Sequence, residues 1–235
     1  NFLKRISSNK ITYKGSSFKL RANNWITKYR FDSFKSKEPE TLDWIDYNLK
    51  ENDFFFDIGA NVGIYSLYGA SKNIYNTKFY CFEPEYSNLN ELKFNIIQNN
   101  FNDLIFPFSL AFGEKESLSF LNIYDPTPGA ALHTLSREKL KKNNVILSEG
   151  VVSYSLDSFC KKTGIYPNLI KIDIDGKEND LLLGARETLK NKKLRSIIIE
   201  LEDKEIREEC IEFLKINDFK LVKKFHKIQK YIWKK

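Results

Sequence analysis

Hydrophobic residues along the chain follow two alternating patterns. Short, almost continuous apolar runs predict buried strands at 54–58, 78–82, 104–110, 169–176 and 195–201. Amphipathic segments predict helices at 38–49, 64–71, 87–98, 178–190 and 204–217. Because the strands alternate with helices, the pattern indicates an α/β fold, in which helices cover both faces of a parallel sheet.

The two ends of the chain carry different patterns. Residues 1–35 combine turn residues with short alternating stretches, which predict small strands at 11–13, 18–20 and 25–26. Residues 219–233 form two apolar and basic stretches without a helix between them, which predicts an antiparallel strand pair at the sheet edge. We expect its turn near His226, a residue whose role is structural or which is simply exposed.

The middle of the chain adds further strands at 117–123 and 151–156 and a short helix from Leu156. Between these two strands, residues 125–133 are rich in proline and glycine and predict a loop. Neither an internal repeat nor a low-complexity linker is present. We therefore expect one domain, with an N-terminal extension at 1–37 and an α/β core at 38–235.

One turn gives the first indication of chemistry. The strand at 54–58 leads into Asp57-Ile58-Gly59-Ala60-Asn61-Val62-Gly63, after which a helix begins. Glycines allow a backbone to approach a ligand closely, and the free amides of a helix start favour an anionic group. This layout is typical of nucleotide-binding α/β folds, although the spacing is not G-x-G-x-x-G.

Acidic residues follow four of the predicted strands. They are Asp57, Glu83, Asp173 with Asp175, and Glu200. Ligands of such sheets bind beyond the carboxyl ends of the strands, so these acids predict a pocket of negative potential for a cationic or hydroxyl-rich ligand. Glu83 follows Gly59 by twenty-four residues, and its carboxylate is placed to accept hydrogen bonds from both ribose hydroxyls of a nucleoside. The alternative is a solvated loop acid.

The net charge of +7 is concentrated at one end, because residues 214–235 contain eight lysines and a single acid, Asp218. Lysines on an edge strand protect against aggregation, and a basic surface can also attract an anionic substrate. Both interpretations stay open. The cysteines Cys81, Cys160 and Cys210 match no metal spacing and predict reduced, buried thiols in a cytoplasmic protein. No apolar run approaches the length of a membrane span.

The motifs together resemble those of the FkbM-type methyltransferases, a branch of the class I S-adenosylmethionine-dependent enzymes. The resemblance covers about residues 40–202 and is carried by the turn at 57–63, Phe82-Glu83-Pro84, Asn95, Leu156-Asp157 and Lys171-Ile-Asp173-Ile-Asp175-Gly176-x-Glu178. It implies a Rossmann-like, seven-stranded, mostly parallel sheet with an antiparallel last strand. It also implies O-methylation of a sugar or natural-product hydroxyl. The chain departs from the family pattern at Asp175, where Glu is common, at Lys177, where a small residue is common, and in the loop at Gly129, where Ser often occurs.

The resemblance also implies roles for individual residues. Asp57, Gly59, Ala60, Asn61 and Gly63 would contact the methionine part of the cofactor, Glu83 and Pro84 the ribose, and Ser109 to Ala111 the adenine. Asp173 and Asp175 would face the methyl-transfer centre. We consider two general bases, Asp173, whose proton affinity burial would raise, and His133 in the loop at 125–133, which would cover the active site. A divalent metal held by the carboxylates is an alternative arrangement, although we expect no metal.

Three other functions are compatible with parts of the sequence: an NAD-dependent oxidoreductase, an RNA-binding or RNA-modifying protein that uses the basic end, and an inactive relative. The glycine spacing argues against the first, and the facing carboxylates argue against the second because they repel phosphate. We expect an S-adenosylmethionine-dependent O-methyltransferase with a small-molecule or glycan hydroxyl as acceptor and without a nucleic-acid partner. The sequence predicts no oligomeric state.

Overall fold

Seven strands of the computed structural model, which describes residues 8–136, 144–225 and 229–235, form the central sheet. In spatial order they are β12 (Lys220–Phe225), β13 (Lys230–Lys234), β11 (Ser196–Glu200), β10 (Leu169–Ile172), β3 (Phe54–Ile58), β4 (Lys78–Phe82) and β5 (Ile105–Phe108). The five strands from β11 to β5 are parallel to one another. Only β13 runs antiparallel to both of its neighbours, so the sheet has mixed orientation.

Helices cover both faces of this sheet, as the alternating pattern predicts. On one face lie α3 (Pro39–Asn48), α4 (Ile64–Ser71) and α5 (Tyr86–Gln98). On the other lie α6 (Leu156–Thr163), α7 (Glu178–Leu183), α8 (Arg186–Lys190) and α9 (Lys204–Ile216). The strands are apolar on both sides because consecutive residues enter opposite cores: Phe55 packs in the first and Phe56 in the second.

Two smaller sheets flank the central one. The first pairs β1 (Ser8–Tyr13) with β2 (Ser16–Arg21). The second contains β6 (Ala111–Phe112), β9 (Leu147–Tyr154), β7 (Ser117–Ile123) and β8 (Thr134–Ser136), in that order. The sequence indicates strands at 117–123 and 151–156, but the short strands β6 and β8 carry too few residues to show a period.

Two predicted elements are wrong. Residues 25–26 begin a helix, α1 (Trp25–Asp32), because Asn24 and Thr27 form a reciprocal capping box at its start. A short helix, α2 (Phe34–Lys37), follows it. The single helix predicted at 178–190 is divided into α7 and α8 at Gly184. A Cβ at Gly184 would lie 2.2 Å from the carbonyl oxygen of Gly113, so the chain turns there against β6.

The C-terminal strands also differ from a simple antiparallel edge. The last strand, β13, inserts between β11 and β12, and the outer edge is β12. Lys220, Lys223 and Lys224 on β12 are exposed, as edge protection requires, but Lys230 on β13 is 1% exposed. Its ammonium group pairs with Glu38 and, at 3.0 Å, with Glu200. The turn at His226 lies outside the described residues.

Two other expectations concern whole-chain properties. Cys81, Cys160 and Cys210 are buried and free, as predicted. In the part of the chain that the structure describes, no helix combines the length and apolar character that crossing a membrane requires. The division into an extension at 1–37 and a core at 38–235 stays a prediction.

Replacing Lys230 with methionine should lower the free energy of unfolding by about 3 kcal/mol, because it leaves two carboxylates without their buried counter-ion. Urea denaturation measures this change. Lys220→Met, on the exposed edge strand, is the matched control and should change stability by less than about 0.5 kcal/mol. Equal effects of the two substitutions would show that Lys230 has no structural role in the ion-pair cluster.

Candidate active site

A cavity of about 350 Å³ lies at the carboxyl ends of the central strands β3, β4, β10 and β11. This is the edge at which ligands of open α/β sheets bind, and the volume is that of a small-molecule site. Its wall contains eight of the predicted site residues: Gly59, Asn61, Glu83, Pro84, Ala111, His133, Asp173 and Asp175. Four others, Asp57, Ala60, Gly63 and Ser109, are not part of the wall.

The turn after β3 is shaped by contacts within the chain. Gly59 has a φ of +74°, and a Cβ there would lie 1.9 Å from the backbone oxygen of Asp173. A Cβ at Gly63 would lie 2.3 Å from a methyl carbon of Leu92. From the sequence, these glycines are predicted to allow a ligand to approach the backbone closely. In the structure, contacts with neighbouring segments of the protein itself leave no space for a Cβ at either position. The amides of Gly59 and Ala60 donate to the carbonyl of Phe82 and join the turn to β4.

Asp57 lies on β3 inside the sheet and is not part of the cavity wall. It is fully buried, accepts a hydrogen bond of 2.7 Å from the Ser66 hydroxyl, and lies 3.2 Å from the ammonium group of Lys171. The cofactor contact expected for Asp57 stays a prediction. In the structure its carboxylate lies inside the sheet, next to Lys171, a buried lysine on the adjacent strand, and outside the cavity wall.

Glu83 is the buried carboxylate of the cavity wall, with 6% of its surface exposed. One oxygen accepts a hydrogen bond of 2.8 Å from the backbone N–H of Asn61, and the other accepts one of 2.9 Å from the backbone N–H of Glu85. Burial raises the pKa of Glu83 to about 7, despite these two hydrogen bonds. The backbone contacts fix the carboxylate in orientation, and each oxygen retains a lone pair for a further donor.

Asn61 connects the turn to the loop that covers the cavity. Its side-chain amide donates to the carbonyl of Ala130 at 2.7 Å, and Asn88 of α5 donates to the same carbonyl at 3.1 Å. Asn88 also accepts the amide of Gly129, and Arg30 of α1 donates to the Gly129 carbonyl at 2.8 Å. The sequence analysis does not single out Asn88 or Arg30, because both depend on contacts between distant segments.

The part of the wall after β5 is apolar. It consists of Leu110, Ala111 and Phe112, with Phe82 of β4 beside Phe112 at a ring-centroid distance of 4.7 Å. The resemblance implies Ser109 as part of this wall, but Ser109 is exposed and lies outside it. A flat aromatic ligand group therefore has apolar neighbours here, close in the chain to the position predicted.

The pKa of Asp173 is shifted in the direction opposite to the one predicted. Burial favours its neutral form, but the charges of Lys171, Lys230 and Lys37 outweigh that effect and hold its pKa below the usual range. The ammonium group of Lys171 lies 3.3 Å from the Asp173 carboxylate. The prediction that burial would raise the proton affinity of Asp173 is wrong, and a carboxylate held ionised in this way is a weak base.

The pKa of Asp175, in contrast, is raised. Crowding by protein atoms and the charge of Asp173 raise its pKa to about 6, although more than a third of the residue is exposed. It accepts the backbone amide of Leu132, a residue with a φ of +68° in the covering loop. Asp175 is thus ionised near neutral pH and open to the cavity.

The imidazole of His133 lines the cavity but is poorly placed for proton transfer. Both ring nitrogens are covered and have no hydrogen-bond partner among the described residues. Burial lowers the pKa of His133, which keeps the ring neutral. A substrate hydroxyl reaches these nitrogens only if the covering loop moves.

A cluster of carboxylates and lysines closes the side of the cavity near β11. Oxygen atoms of Glu38, Asp173 and Glu200 lie within 4.8 Å of one another, which is the spacing of a possible cation site. The ammonium groups of Lys230 and Lys171 already neutralise these oxygens. Glu38 and Lys230 belong to this cluster but are not among the predicted site residues. They are 192 residues apart in the chain, so no local pattern in the sequence indicates their contact.

Comparison with known proteins identifies the family. The model of the FkbM methyltransferase domain matches residues 57–232, which is most of the chain. The chain belongs to the FkbM methyltransferase family. The matching domain is a methyltransferase domain, as the motifs predict, and the match agrees with the glycine spacing, which argues against an NAD-dependent oxidoreductase. No curated protein gives a significant match.

Solved structures support the fold. Methyltransferase FkbM from Methylobacillus flagellatus KT matches with a TM-score of 0.53 and 16% identity, over 91% of this chain and 56% of that one. The chain thus spans little more than half of that structure. A putative rRNA-methylase from Clostridium thermocellum gives a TM-score of 0.53 at 11% identity, over 83% of this chain and 92% of that one.

A third similar structure contains a bound ligand. Aeropyrum pernix fibrillarin, described with natively bound S-adenosyl-L-methionine, gives a TM-score of 0.51 at 12% identity, over 97% of this chain and 81% of that one. At these identities the likeness shows the fold alone. This FkbM-family chain thus has a methyltransferase-like α/β fold, with a mixed seven-stranded sheet.

Gly59→Ala should destabilise the protein by at least about 3 kcal/mol, because the new methyl group meets both a positive φ and the Asp173 backbone. Gly176→Ala is the matched control. It has a φ of +85° but no atom within 4 Å of the new methyl group, so we expect a loss of about 1–2 kcal/mol. Urea denaturation compares the two, and similar losses would contradict the close contact at Gly59.

Proposed function

We propose that this enzyme is an S-adenosylmethionine-dependent O-methyltransferase that acts on a hydroxyl of a sugar, glycan or natural product. The observation that carries the proposal is the oriented, buried carboxylate of Glu83 in the wall of the cavity. A carboxylate at the end of the second parallel strand is suited to accept both hydroxyls of a ribose. Family membership supplies the reaction class.

The residues of the cavity fit an adenosyl group with a charged amino acid end. Leu110, Ala111 and Phe112 offer an apolar surface for the base, and Glu83 offers two oriented oxygens for the ribose. Bound S-adenosylmethionine supplies an electrophilic methyl group on a positively charged sulfur. Among the described residues, the seven acids of the wall exceed its three bases and the two buried lysines that pair with three of them, Lys171 and Lys230, by two, and this excess stabilises the positive charge.

Asp175 is the residue that we assign as general base. It is open to the cavity, it is ionised at neutral pH, and its pKa of about 6 lies near the working range of a proton acceptor. The backbone amides of Leu132 and His133 orient its carboxylate, which keeps lone pairs for the acceptor hydroxyl. Asp173 stays ionised beside Lys171 and contributes negative potential instead of accepting the proton.

The excess of acids also bears on the acceptor. The seven acids of the described wall are Glu38, Glu83, Glu85, Asp173, Asp175, Glu200 and Glu202. Its bases are Arg30, Lys37 and Lys177, and the buried Lys171 and Lys230 pair with three of the acids, so an excess of two acids remains. A phosphate-rich acceptor is repelled by this potential, whereas a neutral polyol is not. We therefore favour a hydroxyl-bearing small molecule or glycan over RNA. The three free, buried cysteines are consistent with a reducing compartment, and we propose the cytoplasm.

Glu83→Gln should weaken the binding of S-adenosylmethionine by about tenfold or more, because a charge-assisted hydrogen bond to the ribose is lost. Isothermal titration calorimetry measures the affinity. Asp53→Asn is the matched control: Asp53 is also a buried acid, paired with Arg195, but it lies at the opposite end of β3. That substitution should lower stability and leave the affinity unchanged. Equal affinities of the wild type and the Glu83 variant would contradict the assignment of Glu83 to the ribose hydroxyls.

Asp175→Asn should lower kcat by about 100-fold or more, the usual contribution of a general base, with little effect on cofactor affinity. The wild-type kcat, measured at saturating cofactor so that titration of Glu83 does not contribute, should rise as pH increases through about 6, where Asp175 loses its proton, and the variant should lack this rise. His133→Gln should retain the pH dependence, and Asp173→Asn should shift the rise to lower pH because the charge of Asp173 helps to raise the pKa of Asp175. If the rise disappears in His133→Gln and persists in Asp175→Asn, the histidine is the base and our assignment is wrong.

A further inference from the structure

A second cavity of about 310 Å³ adjoins the first. It shares Leu135 and Lys177 with the wall of the main cavity. The other residues of its wall are polar or glycine, and they include the hydroxyl groups of Ser117, Ser119 and Ser153. The function proposed above does not use this cavity.

The strand register shows that one face of the β6–β9–β7–β8 sheet lines both cavities. Ala111 of β6 is paired with Ser153 of β9, and Ser153 is paired with Ser117 of β7. Ala111 belongs to the main cavity, whereas both serines belong to the second one. Because paired residues point to the same side of a sheet, the two cavities form one surface across the strands.

The same continuity exists along β7. Ser117, Ser119 and Leu121 alternate with the exposed residues Leu118 and Phe120, so they share the inner face. Ser117 and Ser119 line the second cavity and Leu121 lines the main one. Four residues of strand separate Leu121 from Ser117, a distance of about 13 Å. A molecule that occupies both cavities is therefore longer than a single sugar ring.

The chemistry of the second cavity suits a neutral chain with many hydroxyl groups. The hydroxyls of Ser117 and Ser119 lie 3.2 Å apart and share one hydrogen bond, so one O–H group and lone pairs of both oxygens remain for a ligand. Glu114 and Asp180 balance the charges of Lys115 and Lys177, so the wall has no excess of positive charge to bind a phosphate chain. Leu135 is its one large apolar residue.

We propose that this serine groove, lined by Ser117, Ser119 and Ser153, binds the continuation of a linear, neutral oligosaccharide acceptor. The sugar unit to be methylated lies in the main cavity, and the following units lie along the inner face of β7. This inference rests on the proposed O-methyltransferase function and specifies the size and class of its acceptor.

The test compares monosaccharides with linear tetrasaccharides of glucose, mannose, galactose and N-acetylglucosamine, with S-adenosylhomocysteine release as the readout. For the sugar that reacts, kcat/KM of the tetrasaccharide should exceed that of the monosaccharide by about tenfold, because a few hydrogen bonds are added. Ser117→Phe fills the groove and should reduce this ratio to about one. Lys115→Trp, on the exposed turn before β7, should reduce it as well, without a change inside the sheet.

Leu118→Phe is the matched control, since the neighbouring residue on β7 is 83% exposed and faces away from the groove. It should retain the wild-type ratio. A wild-type ratio near one, or a tenfold ratio that persists in both groove variants, would overturn the groove assignment and leave the methyltransferase function standing. Absence of product with every sugar, whether monomer or tetramer, would instead contradict the proposed sugar acceptor, and the groove assignment with it.

Discussion

A single buried ammonium group, that of Lys171, holds the carboxyl ends of β3 and β10 in place. It lies 3.2 Å from Asp57, 3.3 Å from Asp173 and 3.4 Å from the carbonyl oxygen of Gly59, and it lies over the ring of Tyr65. Burial alone would favour a neutral lysine, but the charges of Asp173 and Asp57 raise its pKa above the ordinary value. The turn and this part of the acidic wall depend on this cation, because the buried Asp57 and the partly exposed Asp173 would otherwise lack their paired ammonium group.

This arrangement explains why neighbouring acids at one sheet edge behave differently. Asp173 shares the lysine and stays ionised, whereas Asp175, two residues later, is crowded by protein atoms and feels the charge of Asp173 instead. The pKa of Glu83 is governed mainly by burial, which raises it. The carboxyl end of β10 thus carries Asp173, which stays ionised, and Asp175, which titrates near neutral pH. Such a pair is a common way to divide electrostatic and proton-transfer roles.

The sequence predicts much of the fold because its signals are local. Apolar runs locate the five parallel strands, and the glycine turn, Glu83 and Asp173 identify the cavity. The errors have separate causes. Helix α1 is missed although Asn24 and Thr27 carry its capping signal, and the break at Gly184 depends on a contact with Gly113. The burial of Asp57, the low proton affinity of Asp173 and the pairing of Glu38 with Lys230 follow from tertiary contacts that leave no periodic pattern.

The position of β13 has a consequence for the order in which the protein can mature. This strand is the last to leave the ribosome among the described elements, yet it inserts between β11 and β12 and brings Lys230 to Glu38 and Glu200 at the cavity. Domains begin to fold from the N-terminus during synthesis. Until β13 is in place, Glu38 and Glu200 lack their shared cation, so the side of the cavity near β11 is completed only when this strand has docked. Insertion of one strand therefore finishes both the sheet between β11 and β12 and this side of the cavity.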